Sequence, residues 1–411
     1  MTLRRRSWLT PGAALIAAAL LAACSSSGSS SPSSASRTGA SGSASASPPG
    51  ATPSASASAP GAGPAAAGLA LARQTVAKLE ATTSSYPVPS ASVAGVSKLK
   101  GKTVYYIPII QDAPTFVVAA QTMQQALAAA GLKLRVCDGQ AQPTAIAACV
   151  QQATGAGAAG IVLDAIPYGM AYSALNAAVA KGVPVLVADQ VPQPAGTPNT
   201  DQVSYLPGAE GQADQIAWWT IADSGGKANG IIAEEIDNPS SIAQVTDSLA
   251  IYKKSCPDCV MTVEHISAST TALEAAATSS NLQTHPDATY YYTEFEDSLQ
   301  PTVQGIQGSG RASGISLSVA AGTVDGLGLL KSGSLVKAVV VVDEAYEGWA
   351  LTDEVLRMAT KTAPVNETIP TRLFTKQNIG TIQVTAAAQA AGAWFGSNSF
   401  ESEFAKLWGV G

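Results

Sequence analysis

From Lys102 onward, short apolar runs alternate with longer stretches whose apolar residues recur every three to four positions. The run Lys102 to Ile110 predicts a strand. Pro114 opens a helix with Phe116, Ala120, Met123 and Leu127 on one face, which Gly131 can end. Leu132 to Val136 reads as a strand, Pro143 to Thr154 as a helix and Gly160 to Asp164 as a buried strand. Met170 to Lys181 is a helix closed by Gly182, and Val183 to Asp189 a further strand. After a connecting stretch near Tyr205 the rhythm repeats. Gly230 to Ile236, Cys259 to Ile266, Thr289 to Thr293 and Gly314 to Val319 predict strands with helices between them. Leu335 to Val342 is an apolar strand leading back towards the first series, Glu347 to Thr360 a helix there, and Thr371 to Asn378 a second return. Strands alternating with helices of this length imply right-handed crossovers and parallel sheets, so the expected class is α/β with two similar lobes.

The front of the chain follows a different pattern. Arg4 to Arg6 precede an apolar stretch from Leu9 to Leu21, too short to span a bilayer, and Leu21 to Cys24 reads Leu-Ala-Ala-Cys. This resembles a bacterial lipobox, which implies a signal peptide over 1–23 and a lipid anchor on Cys24. Arg5 and Arg6 resemble a twin-arginine signal, although Arg4 in the preceding place favours ordinary Sec export. Ser25 to Gly68 is Ser, Ala, Gly, Pro and Thr throughout, apart from Arg37. Such a segment cannot offset its ordering entropy, so 24–68 is expected to be a tether or a glycosylated stalk spanning roughly 35–40 Å. Leu69 to Glu80 has helical spacing, and 69–100 reads as a lead-in helix and linker.

Composition narrows the function classes. The 411 residues carry a formal charge of −6, and removing the first 23, with three Arg and no acid, leaves −9. An acidic chain without a basic patch excludes nucleic acid as a partner. Two histidines in all argue against a His-based triad, and no nucleophile–base pair is evident, so no catalytic residue is assigned. Gly155 to Gly160 matches GxGxxG by letter but precedes a strand, the wrong order for cradling phosphate. Gly225 to Ala228 lacks the spacing of a P-loop. No cofactor is expected. Beyond Cys24 the cysteines are even in number. Cys137 and Cys149 could bridge one β-α unit, and Cys256 with Cys259 forms a CxxC that follows a helix instead of opening one. A structural disulfide is the expected reading. Zinc would need His265 and His285 at an irregular spacing, so no metal is assigned.

Four stretches together resemble a known family, the type I periplasmic sugar-binding proteins of the ribose-binding kind, which also supply the ligand domains of the LacI repressors. They are Lys102 to Pro108 followed by Asp112 to Phe116, Ala158 to Asp164, Lys181 to Asp189, and His285 to Tyr290. The closing Lys406 to Gly409 resembles the tail of actinobacterial solute-binding lipoproteins. The resemblance implies two doubly wound parallel-sheet lobes joined by a three-crossover hinge. Lobe one would take 101–205 plus 343–370, lobe two 206–342 plus 371–385, and 386–411 would dock as a C-terminal segment around Phe400, Phe404, Leu407 and Trp408. It further implies a monomeric, non-enzymatic receptor outside the cytoplasmic membrane that hands a small solute to an ABC permease. A sensor of the same fold reporting to a membrane signalling partner is the alternative.

In open parallel sheets ligands lie beyond the carboxyl ends of the strands. The candidate contacts are therefore Gln111, Asp112, Phe116, Asp164, Tyr168, Asp189 and Gln190 in lobe one. In lobe two they are Asp237, Asn238, Ser240, Glu294 and Phe295, with Asp343 near the hinge. Asp112 before Pro114 and Asp237 before Ser240 are equally credible as turn or capping groups. The pattern departs from pyranose binders in several places. Gln190 stands where an Arg usually follows the lobe-one Asp, Ile242 to Leu249 holds no Arg, and Ser318 to Ala321 lacks the usual Asp. These losses remove the clamps that suit hydroxyl-rich ligands, so a less polar or differently charged solute is as well supported as a sugar. Trp218 and Trp219 are expected to pack inside the first helix of lobe two.

Overall fold

A computed structural model describes residues 63–410 except 195, 209–210, 268–269 and 366. The expected signal peptide, Cys24 and most of the expected tether lie outside the described residues, and 64–68, expected to close the tether, instead open the first helix, which runs Pro64–Leu79 with Pro64 at its start.

Five parallel strands build lobe one: β1 (Thr103–Pro108), β2 (Lys133–Val136), β3 (Gly160–Asp164), β4 (Val185–Ala188) and β5 (Val203–Leu206), in the order β2-β1-β3-β4-β5. β3 and β4 sit inside the sheet with both faces covered, which is why they read as unbroken apolar runs. β5 was expected only as a connection. It is a four-residue edge strand paired with β4 from Val185↔Val203 to Ala188↔Leu206, and its single Val and interrupting Ser gave no strand pattern.

Lobe two is a six-stranded sheet of β6 (Asn229–Glu235), β7 (Val260–Ile266), β8 (Tyr290–Thr293), β9 (Ser316–Val319), β10 (Val336–Val342) and β11 (Thr371–Thr375), ordered β11-β10-β9-β8-β6-β7. Only β11 runs antiparallel, pairing Thr371 with Val342.

The helices are α1 (Pro64–Leu79), α2 (Pro114–Ala129), α3 (Pro143–Gly155), α4 (Tyr172–Ala180), α5 (Gln212–Asp223), α6 (Pro239–Ser255), α7 (Thr271–Thr284), α8 (Leu299–Gly308), α9 (Val324–Lys331), α10 (Glu344–Thr360), α11 (Ala386–Ala390) and α12 (Phe400–Leu407). Helices α2, α10 and α12 share one core with a face of the first sheet, and α3 and α4 cover the other face. In lobe two, α5 and α6 cover one face and α7, α8 and α9 the other. Trp219 on α5 is buried, as expected.

The chain crosses between lobes after β5, at Asp343 and again before β11. The last two crossings touch, the amide of Asp343 donating to the carbonyl of Pro370 at 2.9 Å. Helix α10 starts one turn earlier than its apolar spacing predicts, because the Asp343 carboxylate caps it by accepting from the amide of Tyr346 at 3.1 Å. Every residue of α10 from Glu344 to Met358 is buried. Where it crosses α2, Gly348 lets the backbones meet: a Cβ there would lie 2.0 Å from the Thr122 hydroxyl and 2.8 Å from the carbonyl of Ala119.

The segments flanking the two lobes form straps over this core. α1 lies on lobe two, and the chain after it reaches lobe one, where Val93, Val96 and Leu99 are buried. At the other end Trp394 and Phe395 pack into lobe two, and Phe400, Phe404 and Trp408 into lobe one. The straps meet each other, with the amide of Val93 donating to the carbonyl of Leu407 at 2.8 Å. Both are pinned by one buried ion pair. Arg357 Nε donates to Asp353 at 2.6 Å and its guanidinium reaches the carbonyl of Ala91, while the indole of Trp408 donates to the second Asp353 oxygen at 2.6 Å.

Cys137 and Cys149 are bonded across the β2–α3 connection, and Cys256 is bonded to Cys259 at the far edge of lobe two. Thiol titration of the denatured but unreduced polypeptide that retains Cys137 to Cys259 should therefore find none of these four thiols reactive. Reduction should lower the melting temperature, since the 12-residue separation of the first pair corresponds to about 3 kcal/mol of unfolded-chain entropy. Gly348→Ala should cost about 1–3 kcal/mol in urea unfolding through overpacking, despite the better helix propensity of Ala. The midpoint should fall with the slope unchanged.

Candidate functional site

The carboxyl ends of the parallel strands of both lobes lie on the hinge side, because β5 and β10 both run into crossings there. The two edges touch. Gln190, after β4, donates its amide nitrogen to Asn238 Oδ1 at 3.3 Å, and Val191 N donates to Ser240 Oγ at 3.0 Å. The Ser240 hydroxyl in turn reaches the carbonyl of Asp189 at 3.4 Å. Asn238 also caps α6, accepting from Ser240 N at 3.0 Å, so the partner in lobe two is a fixed helix end.

Beneath these contacts, on the lobe-one side, lies a row of buried acids. Tyr106 on β1 donates to Asp164 at the end of β3 at 2.5 Å. Asp164 is hydrogen-bonded to Asp189, Asp189 to Glu347, and Glu347 to Glu344. Thr115 at the start of α2 donates to Glu344 at 2.5 Å and ends the row. Carboxyl can bond carboxyl only through a proton, so the row holds protons at neutral pH. Burial raises all four acids first; for Asp189 the neighbouring Glu347 and Asp164 add to it, and Glu344 stands at about 8. Asp164 also accepts from the amide of Ala165, and Gln190 Oε1 is reached by no donor. Asp189 takes a left-handed backbone, φ 55°, and its carboxyl abuts Gly208, where a Cβ would lie 1.7 Å from Oδ1.

Across from this row, lobe two presents more acids. Glu294 ends β8 and is buried, accepting from the amide of Glu235 at 2.7 Å and from the Ser241 hydroxyl; burial lifts it to about 7. Glu235 is raised to about 8 by burial and then by Asp297, Glu294 and Asp237. Glu296 has a structural task, since its carboxylate accepts from Thr323 and from the amide of Gly326 and so caps α9.

Solved structures of similar fold are known. A 5-methylthioribose transporter solute-binding protein from Thermotoga lettingae, in complex with 5-methylthioribose, aligns with TM-score 0.59 at 14% identity over 74% of this chain and 98% of that one. An ABC transporter solute-binding protein from Agrobacterium vitis with bound allitol gives 0.59 at 19% identity, over 69% and 98%. One from Mycobacterium smegmatis with bound glycerol gives 0.59 at 17%, over 68% and 96%. The fold is that of the type I periplasmic binding proteins. No family model matches the sequence, and no curated protein matches it. Among the described residues no helix is long and apolar enough to cross a membrane, and no group of His, Cys, Asp and Glu could hold a metal ion.

In this type I binding fold the residues expected to meet a ligand divide into three groups. Asp164, Asp189, Gln190, Asn238 and Ser240 come together where the lobes touch, and Glu294 lies close behind α6 through Ser241. Gln111, Asp112 and Phe116 lie to one side. Gln111 and Phe116 line an open groove of about 190 Å³ with Gln121 and Gln124 of α2, and Asp112 is exposed. Tyr168 turns towards α4, donating to Asn176 at 2.9 Å, and Asp237 accepts from the Ser267 hydroxyl at 2.5 Å in solvent. Phe295 is half-buried beside Glu294. Asp343 faces away from the acid row, accepting from the hydroxyl of Tyr86 at 3.1 Å, and burial lifts it to about 7. A larger open groove, about 600 Å³, runs along α9 to Lys331 and Ser332 on the flank of lobe two, away from the facing edges.

Sequence reading missed Tyr106, Thr115, Glu344 and Glu347. The available signal was a pair of acids three residues apart directly after Asp343, the spacing that puts both on one helix face.

Acids raised in the folded state bind protons more tightly folded than unfolded, so their contribution is fully present below about pH 4 and lost as pH rises through about 7 to 8. The melting temperature should therefore fall by about 5 °C or more between pH 5.5 and pH 8.5, at roughly 2 °C per kcal/mol for a chain this large. Glu294→Gln should make that fall shallower, as read by scanning calorimetry across the pH series.

Proposed function

We propose that this chain is an extracytoplasmic solute-binding lipoprotein of an ABC importer, held to the membrane by a lipid on Cys24 and carrying its solute between the two lobes. The observation that carries the reading is the direct contact of the two strand edges through Gln190, Val191, Asn238 and Ser240. Those edges are where open parallel sheets bind ligands, and a solute touching both favours the closed arrangement over the open one by its differential contacts. The fold likeness supports it, since the solved structures named above are transport proteins bound to a methylthioribose, allitol and glycerol. Asp164, Asp189, Gln190, Asn238, Ser240 and Glu294 are the proposed contacts, and the boundaries of 101–205 plus 343–370 and 206–342 plus 371–385 are the proposed lobes. A permease that recognises the closed form would receive only loaded protein. The bonded carboxyls serve binding and packing, and the reading assigns no turnover.

Thermal-shift screening of the purified chain against sugars, polyols, nucleosides, amino acids and amines tests this. At least one class should raise the melting temperature by several degrees, with small-angle scattering showing a more compact particle on saturation. Loss of the shift in a Gln190→Ala, Ser240→Ala double variant that still unfolds cooperatively would place the solute between the lobes. Absence of any shift from every class would sink the receptor reading.

A further inference from the structure

The distribution of charge about the two sheets is one-sided. Ten connections leave the carboxyl ends of the parallel strands, and where they leave, the described residues include Asp112, Asp138, Asp189, Asp237, Glu294, Glu296, Asp297 and Asp343 but no Lys, Arg or His. The bases gather at the opposite edges and on the outer surfaces: Lys102 and Lys133 at strand starts, Lys181, Lys227 and Arg311 in connections entering strands, Lys253 and Lys254 at a helix end. Arg372, which follows the last crossing, donates to the carbonyls of Glu80 and Trp394 in the straps. The solute-facing edge therefore offers acids and no base between low-dielectric walls, an arrangement that favours a cation, which can take the place of their protons, over an anion.

A second observation concerns a single atom. At the lobe-one edge the Asp164 and Glu347 carboxyls are engaged within the row, and the buried side-chain oxygen left without a donor is Gln190 Oε1, on a residue that is 1% exposed. It is an acceptor. Gln190 has its other amide atom engaged across the lobes by Asn238, so its oxygen is held at the junction itself. A ligand matching this site must donate hydrogen bonds and bring positive charge, and it finds no guanidinium or ammonium with which to pair an anionic or acceptor-rich group. Ammonium centres donate only, whereas every sugar hydroxyl also presents lone pairs that need donors.

From this juxtaposition we infer that the interlobe site takes a cationic organic solute, an amine whose ammonium centre is received at Asp189 and Gln190 over the Asp164–Asp189–Glu347–Glu344 row. The inference rests on the receptor reading and names its substrate class. Entry of the cation displaces protons that the row otherwise shares, so that carboxylate and ammonium pair without leaving net buried charge unmatched.

Isothermal titration of the full chain with putrescine, spermidine and agmatine, beside ribose, glucose, myo-inositol and glycerol, tests the inference. At least one amine should bind and no neutral polyol should compete with it. The amine affinity should weaken by about tenfold or more in Asp189→Asn, which removes charge while keeping shape, and should fall as sodium chloride is raised. Melting curves of Asp189→Asn and of Gln190→Leu would establish that both variants fold, and Gln190→Leu should weaken binding as well. Binding of a polyol with no amine binding would overturn the charge assignment and leave the receptor reading standing. Amine binding that neither variant weakens would overturn the site, and binding by neither panel would overturn the solute class.

Discussion

One carboxylate ties together the parts of this molecule that could otherwise move apart. Asp343 ends β10, caps α10 through the amide of Tyr346, accepts the Tyr86 hydroxyl of the N-terminal strap and donates its own amide to Pro370 on the last crossing. Strand, helix, strap and hinge therefore meet at one residue. The ring of Tyr86 stacks on Tyr346 and meets Phe400 edge-on, which carries the same junction into the C-terminal helix. Because burial raises this acid to about 7, the junction is also where the hinge is sensitive to pH.

The straps give the hinge a different mechanical character from three bare crossings. Each extension is anchored in lobe two at one end, through α1 or Trp394 and Phe395, and in lobe one at the other, through Val93 to Leu99 or α12. Burying aromatic side chains such as Phe404 and Trp408 contributes about 2–3 kcal/mol each, and the Asp353–Arg357 pair is held by partners from both straps. Any opening of the lobes must turn about this seam on one side while Gln190 and Asn238 separate on the other.

The chemistry at the facing edges follows from where the acids fall in a parallel sheet. Connections that leave strand ends converge on one side, so a bias in their composition becomes a field in space. In lobe two that bias is partly spent on structure, Glu296 capping α9 and Glu294 receiving Ser241 and the amide of Glu235. In lobe one the four-acid row has one backbone amide, that of Ala165 on Asp164, and is otherwise satisfied by the Tyr106 and Thr115 hydroxyls and shared protons. Stability and the proposed recognition thus draw on the same groups, and the proposed cation site is one that the empty protein neutralises with protons.

By itself the sequence determined the α/β class and the two-lobed repeat, and it pointed to the strand ends as the proposed binding edge. Parallel strands buried on both faces must be continuously apolar, so runs such as Val339 to Val342 and Ile161 to Leu163 announce themselves. It also placed Asp189, Gln190, Asn238 and Ser240 at strand ends, because the rhythm of elements fixes which residues follow each strand. The edge strand β5 escaped because four residues with one Val carry no pattern. What only the tertiary structure decided is the company these residues keep. Glu344 and Glu347 read as acids favoured in the first turn of a helix. They become part of a binding edge only because the chain recrosses to lobe one and slides α10 under β3 and β4. That pairing of residues more than 150 positions apart is set by packing and hinge geometry, which no local pattern of hydrophobic and polar positions encodes.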